Sequence, residues 1–90
     1  MAIEWPELIG QVVVLDMASS FVCLGKLVRF DRDFALLEDA DVHDLRDTSA
    51  TREQYVLECR RHGVTANRRL AWVSLKEVVG ISRLADVVMD

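Results

Sequence analysis

The sequence predicts a mainly β domain: a small five-stranded barrel with a short N-terminal helix and a helix in an insert between strands three and four. Three observations lead there. Five short runs rich in Val, Leu, Ile and Phe are separated by polar or glycine-bearing turns. The longest run, 21–30, carries Gly25 at its middle, where a strand can bend sharply or let a second backbone come close. The last two runs are separated only by Leu75-Lys76-Glu77, a tight turn of about one 3₁₀ turn's length.

The 90 residues make one domain, 1–90, near the lower limit for a self-sufficient core. An apolar content of 51% argues for a folded protein and suggests that some surface is buried against another copy or a partner. The formal charge of −4 gives no overall field for binding nucleic acid. The charge is uneven, however. From Asp31 to Asp47 seven acids face Arg32 and Arg46, and from Arg52 to Arg69 five arginines face Glu53 and Glu58.

Taken in order, Pro6 suits the first turn of a short helix, Glu7 suits the same end electrostatically, and Gly10 ends it. Trp5 reads as a hydrophobic staple on that turn, or as a lid over one barrel mouth. Val12-Val13-Val14-Leu15 is unbroken and β-branched, which suits a strand buried on both faces. Residues 16–20 are a turn, and 21–30 the second strand. After Asp31-Arg32-Asp33 a third strand begins at Phe34 and runs out through Val42, with HDLRDTSA as loop. Thr51 with Gln54 is a capping-box pattern, Tyr55, Val56 and Cys59 form an apolar stripe, and Gly63 is a stop, which together read as a helix over 51–62. A strand at Tyr55-Val56-Leu57 is the competing reading. Residues 64–69 connect to a fourth strand at Leu70–Ser74, and Val78–Ser82 makes the fifth. The tail at 84–88 is apolar enough to pack back or to pair with a neighbour.

The cysteines, Cys23 and Cys59, lack metal-site or CxxC spacing and read as reduced core residues. MAIEWPELIG has no basic segment of the secretory kind, and no apolar run approaches the roughly 18 residues of a membrane span. A cytoplasmic protein without membrane contact is expected.

The run 6–40, with its short helix, first strand and bent second strand, resembles the first motif of the Sm/LSm/Hfq-like family of SH3-like barrels. The residues that carry the likeness are Gly25, Leu27, Phe30, Asp31, Phe34, Leu36, Leu37, Glu38 and Asp39. The second motif would be 70–84, and the insert 43–69 separates the two, as in a divergent member. The resemblance implies an Sm-like ring of identical subunits joined through edge strands, with RNA as ligand. Two departures stand out: Ala35 occupies the place of the family's base-reading Asn, and only Lys76 lies near the place of its Arg-Gly. PRC-type barrels and other SH3-like modules share last strands that read like VSLKEVVGI.

On this resemblance the loop Asp31, Arg32, Asp33, followed by Phe34, would contact nucleotides, with Arg32 on a phosphate. Turn chemistry alone makes the same loop a solvated turn capped by aspartates. Arg60, Arg61, Arg68 and Arg69 form a basic patch that would bind phosphates with marked salt dependence, or meet the acidic 31–47 segment of another copy. Glu38, Asp39, Asp41, His43, Asp44 and Asp47 offer oxygen ligands, but their spacing fits no EF-hand. No metal and no cofactor are expected. No nucleophile elbow, triad or phosphate loop is present, so neither an enzyme nor a small-molecule substrate is expected. The alternative role is a structural or protein-interaction module that oligomerises without touching nucleic acid.

Overall fold

The computed structural model describes residues 5–89, and of Trp5 the backbone alone. The staple expected of Trp5 therefore concerns a side chain outside those described. The chain is mainly β, with five antiparallel strands in one open sheet: β1 (Val12–Met17), β2 (Phe21–Phe30), β3 (Phe34–Asp44), β4 (Arg68–Ser74) and β5 (Val78–Arg83). The single α-helix described is α1 (Arg52–His62). It has the expected capping box: Thr51 Oγ1 accepts from the Gln54 N–H at 3.1 Å and Gln54 Oε1 accepts from the Thr51 N–H at 2.8 Å. Helix, not strand, is thus the outcome for 51–62, and Gly63 ends it at φ +90°. The N-terminal helix is a 3₁₀ turn, Trp5–Leu8.

Two boundaries differ from the sequence reading. β1 continues through Asp16 and Met17, which pair with Gly80 and Val78 of β5, so the following turn starts later than Asp16. β3 continues to Asp44, and a 3₁₀ turn at Leu45–Asp47 replaces the first part of the expected loop. Asp44 makes that turn: its Oδ1 accepts from the Arg46 N–H at 3.0 Å, and its carboxylate holds the Arg46 guanidinium at 2.7 Å.

Strand order is β4-β3-β2-β1-β5, so β4 and β5 are the two edges, yet only the 3₁₀ turn Leu75–Glu77 joins them. Four strand spacings of about 4.8 Å would separate the edges of a flat sheet by roughly 19 Å. A three-residue 3₁₀ turn rises only about 6 Å. The sheet is therefore strongly curled. Register irregularities between Leu24 and Lys26, between Leu27 and Arg29, and on β5 opposite Asp16/Met17 supply the bends. The first is where Gly25 sits. Ala40 and Glu38 crowd its backbone, and Asp39 takes the left-handed φ of +50° at the β3 bulge.

The curl makes two cores. The inner one draws on every strand through Val13, Leu15, Cys23, Leu27, Ala35, Leu37 and Val73, with Val78 and Ile81 packed against it. The outer one lies between the sheet and the insert: Val14, Val22 and Leu24 against Val56 and Cys59 of α1 and Leu84 of the tail. Each fully buried Val or Leu contributes about 1.5–3 kcal/mol relative to exposure. Burial on both faces explains why β1 reads as an unbroken apolar run.

Candidate nucleic-acid interface

The sequence-matched loop is a tight aspartate-capped turn. Asp31 Oδ1 accepts from the backbone N–H groups of Asp33 and Phe34, each at 2.8 Å, and the Asp31 N–H donates to the Phe34 carbonyl at 2.9 Å. These bonds, first Phe34 and then Asp33, hold the Asp31 carboxyl below its ordinary range. Asp31 is thus committed to shaping the turn, while Arg32 and Asp33 are exposed at its tip. The Leu75 N–H donates to the Asp33 carbonyl at 2.8 Å and docks the β4–β5 turn onto the hairpin. Between them lies a cleft of ≈ 300 Å³ lined by Asp33, Phe34, Ser74 and Lys76. Two turns separated by some forty residues of chain, one from each motif-like segment, therefore meet at one place.

Ala35 sits next to the cleft and faces away from it. It is fully buried, paired with Val73, and part of the inner core. The residue at that position packs, and alanine's lack of an amide follows from where it points.

The four arginines fall elsewhere. Arg68 and Arg69 open β4, while Ser74 at the cleft closes it, so the two ends are roughly 20 Å apart at about 3.3 Å per residue. Arg60 and Arg61 lie in the last turn of α1. Arg61 pairs with Glu58 at 3.6 Å, and His62 reaches the same carboxylate at 3.3 Å. Arg60 lines a groove of ≈ 280 Å³ with Val12, Cys59 and Leu84, and its Nε is buried without a hydrogen-bond partner. The structure does not gather the arginines at the cleft.

The acidic stretch divides among internal tasks. Asp41, 3% exposed, accepts from the Tyr55 hydroxyl and from Asn67 Nδ2 at 3.2 Å. Burial first, and Asp41 second, push the Tyr55 hydroxyl far up from its ordinary pKa. His43 stacks on the Tyr55 ring at 3.9 Å. Asn67 also bonds both backbone groups of Val42, and its own N–H reaches the Ala40 carbonyl at 2.8 Å, sealing the connector to β3. Asp44 caps its turn, and Glu38 lies 4.0 Å from Lys26. Among the described residues no three metal-ligating side chains converge.

One feature escaped the sequence reading. Arg29 of β2, Leu36 of β3 and Trp72 of β4 are opposite one another across three strands. The Arg29 guanidinium carbon lies 5.1 Å from the Trp72 ring centroid, with Leu36 buried in the row between them. Trp72 is 53% exposed, and Leu70 and Phe34 are also large exposed apolar groups. The run Leu70-Ala71-Trp72-Val73 hides this because both faces are apolar. Alternation on β4 separates it: Ala71 and Val73 pack inward, while Leu70 and Trp72 face out.

No family model and no curated protein matches the chain. No described helix is long and apolar enough to cross a membrane.

Proposed function

We propose that the chain is an Sm-like module: a curled sheet closing as a small SH3-like barrel, assembling into a homo-oligomeric ring through its edge strands, and binding single-stranded RNA without catalysis. The observation that carries the reading is the meeting of the two motif-like turns at the Phe34–Lys76 cleft, with β4 and β5 left as open edges on either side of the Leu75–Glu77 turn. Open edges invite pairing with another chain, and a head-to-tail β4–β5 contact repeats until it closes. At the cleft, Phe34 offers a ring for stacking and Lys76 a cation for phosphate. Filter binding with oligo-U, oligo-A and mixed RNA at about 50 mM salt tests the role. Binding that weakens on Lys76→Gln supports it; absence of binding to all three removes it.

The second reading is an oligomerisation scaffold with no nucleic-acid contact. Asp31 committed to its own turn and Ala35 committed to the core favour it, as does the net charge of −4. Assembly that persists while every RNA fails to bind selects this alternative.

A further inference from the structure

We infer that the outer face of β4, centred on Trp72, is a stacking platform for the bases of a single-stranded nucleic acid that continues out of the Phe34–Lys76 cleft. The inference rests on the nucleic-acid reading above and adds a second subsite to it.

Alternate residues Arg68, Leu70, Trp72 and Ser74 share one face of β4, and Ser74 leads directly to Lys76 in the cleft. Phe34 is opposite Ser74, and Leu36 is opposite Trp72. Phe34 and Trp72 are therefore diagonal neighbours on adjacent strands, about 7–8 Å apart at the backbone, within reach of successive bases. A row of this length, roughly 20 Å, runs along the outer face of β4 and leaves its edge free to pair.

Charge decides between occupants. Along the row and its cleft stand Arg29 over the Trp72 ring, Arg68 at one end, Lys76 at the other and Lys26, against two carboxylates, Glu38 beside Lys26 and Asp33 in the cleft. Cations flanking exposed aromatic rings complement a polyanion whose bases present apolar faces. The open edge of β5 does not complement the row. Its strand, VVGISR, has no acid, and Arg83 is its one charged residue. Arg29 lies over one face of the indole, 5.1 Å from its centroid, and the ring is 53% exposed.

Because Trp5 is the chain's other tryptophan, the probe is the full-length Trp5→Phe protein, in which Trp72 is the sole indole. Titration with oligo-U and oligo-A is expected to quench its fluorescence. Trp72→Ala in the unmodified chain should weaken filter binding about 5- to 150-fold, and Trp72→Phe should restore most of it. Arg68→Gln should lower the slope of log affinity against log salt by about 0.7. Wild-type affinity in Trp72→Ala, with Lys76→Gln still defective, overturns the platform and leaves the cleft. If Trp72→Ala keeps its melting temperature but loses assembly mass, a second copy covers this face, and the inference is again overturned. If the wild-type chain binds neither oligonucleotide, the nucleic-acid reading itself falls, and the platform with it.

Discussion

Gly25→Ala tests the geometry that bends the sheet. A Cβ at position 25 would lie 3.1 Å from Ala40 Cα, 3.2 Å from Ala40 Cβ and 3.2 Å from the Glu38 carbonyl oxygen. Carbon atoms pack comfortably at about 3.5–4.0 Å, so the neighbour must retreat by a few tenths of an ångström. That neighbour is backbone, and it is pinned. Asn67 bonds the Ala40 carbonyl, and Asp39 already takes φ +50° to make the bulge. Overpacking of this kind costs about 1–3 kcal/mol. Alanine returns about 0.4–1 kcal/mol by restricting the unfolded chain. The net loss is about 1–2 kcal/mol. With an m value near 1 kcal/mol/M for a small domain, the urea midpoint should fall by about 1–2 M. Tryptophan fluorescence and far-UV circular dichroism follow the transition. A midpoint equal to or above wild type would refute the claim that Gly25 is there for close backbone approach.

Three further outcomes follow from buried or capped groups. Tyr55→Phe removes a donor from the buried Asp41 carboxylate and should cost about 1–3 kcal/mol, read as a fall in Tm; an unchanged Tm contradicts the pairing. Asp31 and Asp44 both titrate below their ordinary value, Asp44 chiefly through Arg46, so their stabilisation is complete above about pH 4 and is lost as pH falls through that value toward the lowered pKa. Urea midpoints from neutral pH down to about pH 3 should therefore drop, and Asp44→Asn should lessen the drop. Burial, with Asp41 adding to it, pushes the Cys23 thiol up to about 11, so at about pH 8 a thiol reagent should modify Cys23 only as the chain unfolds; fast labelling of the native protein would contradict its place in the inner core.

The strands were readable because local chemistry and burial agree along most of the chain. Val12–Leu15 is apolar throughout because each face of β1 meets a core, and Thr51 with Gln54 marked the helix start that the structure shows. What escaped depended on long-range pairing. Met17 joins β1 because β5 lies beside it, and the extension of β3 through His43 and Asp44 depends on Val22 and Phe21 across the ladder. The candidate site was legible in part for the same reason. Asp31 to Phe34 and Lys76 could each be singled out from the chain, and the Asp33–Leu75 hydrogen bond brings their turns together. The arginines looked like one patch because they are near in sequence, but the length of β4 separates Arg68 and Arg69 from the cleft. Trp72 was hidden within an all-apolar run, and the buried Asp41–Tyr55–Asn67 set joins three segments that sequence proximity does not relate.

Assembly through β4 and β5 would show in the mass of the protein in solution. The protomer is 10.2 kDa. Light scattering at micromolar concentration should give a single mass several times that value that does not grow as concentration rises, because a closed ring leaves no free edge to extend. A mass of 10.2 kDa throughout the micromolar range would contradict it.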